Sequence, residues 1–193
     1  FSDYVKKFEA KGRIYLPTTS YFEMSEWTLS AMAQVEFVET VAKADSITKR
    51  FLKGGFWRNF LTKYSESNQM HKKMLYVSEK IQSEVQKRQT SDIRHRTSDI
   101  GRLADQSTNC LYKAQCNCAY WHGVFGGLYL PHLRHAIYKN LIEAEAKLEV
   151  ERALALPPPE IELLDFDKDG QDEIILTNET FSIYTKPSYG GAI

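Results

Sequence analysis

Residues 115–134 contain the residue types in this sequence that could do chemistry most directly. Tyr120, Trp121 and Phe125 can offer flat apolar faces, and His122 beside them supplies a hydrogen-bond donor and an acceptor. A sugar ring needs this combination, because its C–H faces stack on aromatic rings while its hydroxyl groups form hydrogen bonds. The same aromatic residues could instead fill a helical core, with the nearby glycines making a tight turn between helices. Residue types alone leave both interpretations open.

A second stretch has carboxylates at alternate positions around a glycine, namely Asp165, Asp167, Asp169 and Glu173 around Gly170. Carboxylate oxygens folded around a tight turn are the ligands that calcium prefers, and three close aspartates would repel one another without a cation. We therefore predict a structural calcium site here, and we expect that the protein requires no other cofactor. The alternative is a solvated acidic β-turn.

Two further sets of titratable residues are weaker candidates. His132 and His135 are three residues apart with no acidic partner at ligand spacing, which favours ordinary histidines over a metal site. Glu23 and Glu26 are spaced like a carboxylate pair, but solvated charges on one helical face have the same spacing. We predict that this pair is not catalytic.

Composition excludes some classes of function. The 193 residues are 42% hydrophobic and 26% charged, with 25 basic against 25 acidic residues, so net charge gives no argument for nucleic acid or an anionic membrane as partner. No apolar stretch reaches the length of a membrane span, and a cytoplasmic protein is expected. Cys110, Cys116 and Cys118 fit neither a zinc nor a disulfide pattern, so reduced core thiols are predicted.

The first two-thirds of the chain predicts amphipathic helices that pack as a bundle or an irregular helical layer. The first helix carries an apolar stripe that Ile47 and Phe51 could extend. That stripe consists of Leu29, Met32, Val35, Val38 and Val41.

Three further stripes predict three more helices, over residues 70–85, 100–114 and 133–148. Ser65 is a plausible start for the second helix, and Pro131 suits the first turn of the fourth. A short repeat at residues 90–94 and 97–101 reads as a connection.

Three prolines at residues 157–159 end the helical pattern, and short β-rich runs follow at residues 161–164, 173–177 and 181–185. About 35 residues cannot bury a sheet face alone, so these strands should lean on the helices or belong to a larger domain. We predict a mainly α fold with a helical domain over residues 1–155. Residues 156–193 would be the first strands of a truncated β-sandwich domain.

Several motifs in order resemble glycoside hydrolase family 57, in its 4-α-glucanotransferase and α-amylase branch. Residues 116–134 resemble its fifth signature region, although Cys118 stands where an acidic residue is expected. The other matching stretches are residues 14–27, 54–60, 63–71, 165–170 and 184–191. The chain starts at Phe1 and stops just after a predicted strand, so we expect a fragment of a longer protein.

The resemblance implies a retaining enzyme with an incomplete α/β barrel, then a helical domain, then a β-sandwich. Its catalytic Glu and Asp would lie in the barrel before this chain, so no catalytic residue is expected here and the chain alone should be inactive. Trp121 would stack on a glucosyl ring of an α-glucan or maltooligosaccharide, and His122 would bind a hydroxyl group or orient a catalytic carboxylate. Tyr120 would line the same cleft, with Tyr21 and Trp57 as weaker candidates. The rival hypothesis is a stand-alone helical module that binds carbohydrate or protein without enzymatic activity.

Overall fold

The structure is a computed structural model that describes residues 3, 6–7, 21–90, 98–122, 126–153, 160–178 and 181–191. Within these ranges the helices are α1 (Glu23–Trp27), α2 (Ala31–Lys43), α3 (Ser46–Lys49), α4 (Trp57–Lys63), α5 (Ser65–Thr90), α6 (Ser98–Ala114) and α7 (Pro131–Ala153). The strands are β1 (Glu160–Leu164), β2 (Glu173–Thr177) and β3 (Ser182–Thr185). The predicted fold class, mainly helical with a short antiparallel sheet at the end, is confirmed.

The chain forms two compact units, residues 1–64 and 65–193. In the first unit, α1 is held against the segment before α4. A side chain at Gly55 would meet the backbone nitrogen of Ser25 at 2.8 Å, so only glycine permits this approach. The Lys63 ammonium donates to the carbonyl oxygen of Trp27 at 2.9 Å, which satisfies a carbonyl at the end of α1.

The first predicted helix exists as α2, but its apolar stripe is exposed, whereas the prediction packs it against other helices. Met32 and Val35 are 77% and 60% exposed, and Val38 is exposed as well. The extension through Ile47 and Phe51 is wrong, because α2 ends at Lys43 and the extended Ala44 breaks it. The physical reason is Asp45, whose carboxylate accepts a hydrogen bond from the Thr48 backbone and starts α3.

The second unit contains the main core, where α5, α6 and α7 pack together. The helix start predicted at Ser65 is confirmed, and Pro131 opens α7 as predicted. The buried apolar residues of these helices are Met70, Val77, Ile81, Cys110, Leu111, Ala114, Ile137, Leu141, Ala144 and Leu148. They lie on the three predicted stripes, whose other members Met74 and Leu133 are half-buried. The stripe is wrong at Val85, which is exposed near the end of α5, and the side chains of Ile100 and Leu103 lie outside the described residues.

The sheet has the order β1-β2-β3 with antiparallel neighbours. Its register places Ile161 opposite Leu176 and Leu163 opposite Ile174, so aliphatic residues share one face. Ile161 and Leu163 on that outer face are exposed. The inner face contains the buried Ile175 opposite Glu162 on β1 and Tyr184 on β3.

The inner face meets the helices through a buried polar cluster formed by Lys73, Glu145 and Tyr184, which we call the inner cluster. The Lys73 ammonium donates to the Glu145 carboxylate and to the Tyr184 hydroxyl. The Tyr184 hydroxyl lies 3.1 Å from each Glu145 oxygen. Lys80 adds a second ammonium 3.3 Å from Glu145. The sheet therefore leans on the helices, one of the two arrangements expected from its size.

The predicted domain boundary at residues 155/156 lies within residues 154–159, outside the described residues. The proline stop and residues 91–97 of the predicted connection also lie outside them. The connection is shorter than predicted, because residues 98–101 already belong to α6. That boundary stays a prediction about a longer protein. In the described residues, no helix has the length and apolar character that crossing a membrane requires.

Candidate functional site

The aromatic loop, residues 115–130, connects α6 to α7, and Tyr120 fixes its first half. Tyr120 is buried in the 3-10 helix Asn117–Tyr120, and its hydroxyl donates to the Ala114 carbonyl oxygen at 2.7 Å. Its own carbonyl accepts a hydrogen bond from the buried Ser67 hydroxyl on α5. Burial raises the pKa of Tyr120. Tyr120 therefore holds the loop in place, and its ring is the least accessible of the predicted sugar contacts.

Two glycines let the second half of the loop fold back onto the first. Gly126 has a φ of 86° and Gly127 a φ of 39°, both left-handed. A side chain on Gly127 would come within 2.0 Å of the Trp121 carbonyl oxygen. That oxygen accepts a hydrogen bond from the Leu128 backbone at 2.9 Å. The glycines therefore allow the two halves of the loop to approach each other closely.

Trp121 and His122 follow the buried Tyr120 and are half-buried. The His122 ring packs at 5.4 Å, centre to centre, against Tyr129, whose side chain is 60% exposed. The structure thus places a tryptophan, a histidine and a tyrosine on one fixed loop. Gly123 and Phe125 lie outside the described residues.

The loop is also fastened at its far end. The Arg134 guanidinium, in the first turn of α7, donates to the Leu128 carbonyl oxygen. Arg134 also lies 3.9 Å from Glu66 at the start of α5. Both ends of the loop are therefore attached to helices of the same unit, which favours a preformed site.

The remaining predicted sugar contacts lie in the first unit. Tyr21 precedes α1 and is 56% exposed, whereas Trp57 opens α4 and is half-buried. Their roles stay predictions. Glu23 is exposed and Glu26 half-buried on α1.

The acidic loop, residues 165–173, connects β1 to β2 and folds around its own carboxylates. The Asp165 carboxylate accepts hydrogen bonds from the backbone of Asp169 and of Gly170, at 2.9 and 3.0 Å. Glu173 Oε2 accepts from the backbone of Phe166 and Asp167. The ligand oxygens of Asp165, Asp167 and Glu173 lie within 4.8 Å of one another, so three of the four predicted carboxylates converge.

Lys186, just after β3, points its ammonium group into this set of carboxylates. It lies 2.6 Å from Asp167 Oδ2 and 3.3 Å from Glu173 Oε1, and it also bonds Asp169. Partial burial opposes its charge, but the hydrogen bonds to Asp167 and Asp169 outweigh that effect and raise the pKa of Lys186. We call Lys186, Asp167, Asp169 and Glu173 the loop cluster. The ammonium group takes oxygens that a calcium ion would need, so the fit to calcium is poor while Lys186 stays there.

Two consecutive residues at the start of α5 connect the two loops. Ser67 bonds the carbonyl of Tyr120 in the aromatic loop, as described above. The next residue, Asn68, donates to the Asp167 carbonyl oxygen in the acidic loop at 3.2 Å. One helical turn thus positions both candidate sites.

The other candidate groups have simpler environments. His132 and His135 are exposed on α7, and the carboxylate group described above, not these histidines, is the potential metal-ligand cluster among the described residues. The cysteines are free thiols, with Cys110 buried. The prediction that all three lie in the core is wrong for Cys116 and Cys118, which are exposed because they flank the start of the 3-10 turn.

Comparison with known proteins gives the family. Residues 55–148 match the family described as "Alpha-amylase/4-alpha-glucanotransferase, middle domain". Residues 55–148 of this chain belong to that middle-domain family. The recognition made from the sequence motifs is therefore confirmed at the level of family.

Several relatives match this chain along all or nearly all of its length. "Alpha-amylase" of Pyrococcus abyssi is 43% identical over 100% of the chain, and "Alpha-amylase 1" of Dictyoglomus thermophilum is 45% identical over 98%. The crystal structure of 4-alpha-glucanotransferase from Thermococcus litoralis is 42% identical, with a TM-score of 0.67 over 99% of the chain. The chain spans only 26% of the first two proteins and 27% of the third.

Sequence reasoning missed two residues of this chain. Tyr129 is one of several aromatic residues in the loop. Its position just after the glycine pair is the sequence feature that could have indicated its exposure. Lys186 lies 13 residues beyond Glu173 (186 − 173) on another strand, so no local spacing predicts its contact with the acidic loop. The β-hairpin between them is what brings them together.

Proposed function

We propose that this chain is the middle portion of an α-glucan-processing enzyme, a hydrolase or glucanotransferase, and that Trp121 and His122 line sugar subsites in it. The observation that carries the proposal is the aromatic loop. Its half-buried Trp121 and His122 stand beside the exposed Tyr129, while Tyr120 is buried as their anchor. Rings held on a preformed loop lose little conformational entropy when they bind a sugar.

The relatives' names support the substrate class. They are called alpha-amylase and 4-alpha-glucanotransferase, and the chain aligns with them from end to end. A stand-alone binding module is therefore not favoured. Because the chain spans about a quarter of these proteins, we propose that the catalytic carboxylates lie in a barrel domain of the longer protein.

We further propose that the exposed stripe of α2 packs against that barrel. Met32, Val35 and Val38 present a continuous apolar face, since residues three apart on a helix are neighbours. A patch of this kind marks an interaction surface. Replacing Val35 with Glu should destabilise the full-length enzyme while leaving the unfolding of the 193-residue chain unchanged. Equal effects in both would contradict this packing.

The sugar site is tested by Trp121→Ala in the full-length enzyme, with maltooligosaccharide binding measured by calorimetry. Loss of a stacking face worth about 1.4 kcal/mol would weaken binding about tenfold. Trp121→Phe, which keeps a flat ring, should recover most of the affinity. Tyr112→Ala is the matched control, because Tyr112 is an exposed aromatic residue on α6, outside the loop. Unchanged affinity in Trp121→Ala would leave Trp121 as a packing residue.

The location of catalysis is tested separately with the 193-residue chain and maltooligosaccharides. Chromatography of the products should show neither shorter nor longer sugars. Turnover by this chain would place the catalytic carboxylates within it and contradict the barrel proposal, whatever the outcome for Trp121.

A further inference from the structure

The acidic loop collects more negative charge than it can hold without a cation. Asp165, Asp167 and Glu173 bring ligand oxygens within 4.8 Å of one another, and Glu173 is only 4% exposed. Carboxylates this close repel unless a positive charge lies among them. Calcium, which takes about six to eight oxygen ligands, is the cation that the sequence alone suggests, with a solvated acidic turn as the alternative.

Most carboxylate oxygens of the acidic loop already have a partner on the chain. Backbone N–H groups already donate to both oxygens of Asp165 and to one oxygen each of Asp169 and Glu173. The other oxygens of Asp169 and Glu173, and one oxygen of Asp167, lie against the Lys186 ammonium group. Asp167 Oδ1 and Glu173 Oε1 are buried without a hydrogen-bond partner, and Glu173 Oε1 has its 3.3 Å ion pair with Lys186.

The chemistry of an ammonium group suits this arrangement. It has three N–H donors, and the three carboxylates of Asp167, Asp169 and Glu173 surround it. A calcium ion in the same place would claim the same oxygens and would repel the ammonium charge. The two cations therefore exclude each other.

We propose that Lys186 is the resident cation of the acidic loop, and that the loop becomes a calcium site only when the Lys186 ammonium group is removed. This inference stands apart from the proposed sugar-binding role. It means that the loop is closed by a cation carried on the chain itself, and that its order is independent of the supply of metal.

The test compares thermal unfolding of the chain in EDTA and in millimolar calcium chloride. The wild type should unfold at the same temperature in both. Lys186→Met should unfold a few degrees lower in EDTA and regain that shift in calcium, because its freed carboxylates bind the ion only in the folded state. A wild type that unfolds at a higher temperature in calcium would overturn the proposal. A Lys186→Met variant with the same unfolding temperature in EDTA and in calcium would also overturn it.

Lys168→Met is the matched control, because it removes one positive charge from an exposed position of the same loop. It should gain no response to calcium. If Lys186→Met fails to fold, acylation of lysines in the wild type, read by mass spectrometry, gives the answer. Lys186 should react more slowly than Lys168, with or without calcium. Faster labelling of Lys186 in calcium would show that the metal displaces it and would overturn the proposal.

Discussion

The inner cluster and the loop cluster both place a lysine among carboxylates, but water reaches them differently. The side chains of Lys73 and Glu145 are 6% and 4% exposed. In the loop cluster the Glu173 side chain is 5% exposed, but those of Lys186 and Asp169 are 20% and 43% exposed. Breaking a buried pair leaves a charge that water cannot reach, at a cost of about 3–5 kcal/mol. An exposed pair contributes about 0.2–1 kcal/mol, because water replaces the lost partner. A lysine paired with carboxylates thus fixes the sheet on the helices in the inner cluster, whereas in the loop cluster it adds a small stabilisation to a loop.

Replacing Glu145 with Gln should have the largest effect. The substitution leaves the buried Lys73 ammonium without its counter-charge, so the free energy of unfolding should fall by about 3–5 kcal/mol in urea denaturation. Glu143→Gln is the control, since Glu143 lies on the same helix but is 44% exposed. A loss of less than about 1 kcal/mol in both variants would remove the distinction between the clusters.

Replacing Tyr184 with Phe should have an intermediate effect. Its hydroxyl bridges Lys73 and Glu145 inside the inner cluster, and its loss leaves both with one bond fewer, at about 1–2 kcal/mol. Tyr189→Phe, on a residue that is 76% exposed, should leave urea denaturation unchanged. Equal losses in the two variants would mean that the Tyr184 hydroxyl contributes no more than a surface hydroxyl.

Acid should remove the stability of the inner cluster in a defined window. Burial opposes the charge of Glu145, but the Lys73 and Lys80 ammonium groups outweigh it and lower the pKa of Glu145 below the ordinary 4.5. A folded-state pKa below the unfolded one gives stability that is complete above about pH 4.5 and is lost as the pH falls through the folded value. Urea denaturation between pH 7 and pH 3 should show this slope, and Glu145→Gln should flatten it. An unchanged slope in the variant would assign the acid sensitivity to other carboxylates.

Salt should change the cost of a substitution in the loop cluster but not in the inner cluster, and this is the smallest of the expected effects. At low salt, Lys186→Met should cost less than about 1 kcal/mol, and the cost should shrink further in molar sodium chloride because exposed charges are screened. The effect of Glu145→Gln should change little with salt, since its site is buried. Equal salt dependence would show that the inner cluster is wetter than its burial indicates.

Much of the fold could be predicted from local patterns. Apolar spacing predicted α5, α6 and α7, and Ser65 and Pro131 predicted two helix starts. Capping chemistry could have corrected the false extension through Phe51, because Asp45 followed by Thr48 is a helix-start pattern.

The polar interior was harder to predict, although the sequence carried a signal. Lys73 lies three residues after Met70 and Glu145 four after Leu141, so both occupy the apolar stripes. Charges there predict a buried pair, but helical spacing cannot say which lysine meets which carboxylate. Lys186 had no such signal, since its partners come from a hairpin that only the folded sheet defines.

The start of α5 has a consequence for how this domain can vary. Ser67 and Asn68 reach different loops because successive residues of a helix point about 100° apart. One residue inserted or deleted between this pair and the buried residues of α5 that follow, beginning at Met70, would turn both side chains away from their loops at once. A substitution at Ser67 or Asn68 breaks the contact with one loop, and a second substitution can restore it. A change of length breaks both contacts together. Natural variation in length should therefore be excluded from this turn, and engineered insertions belong elsewhere in the chain.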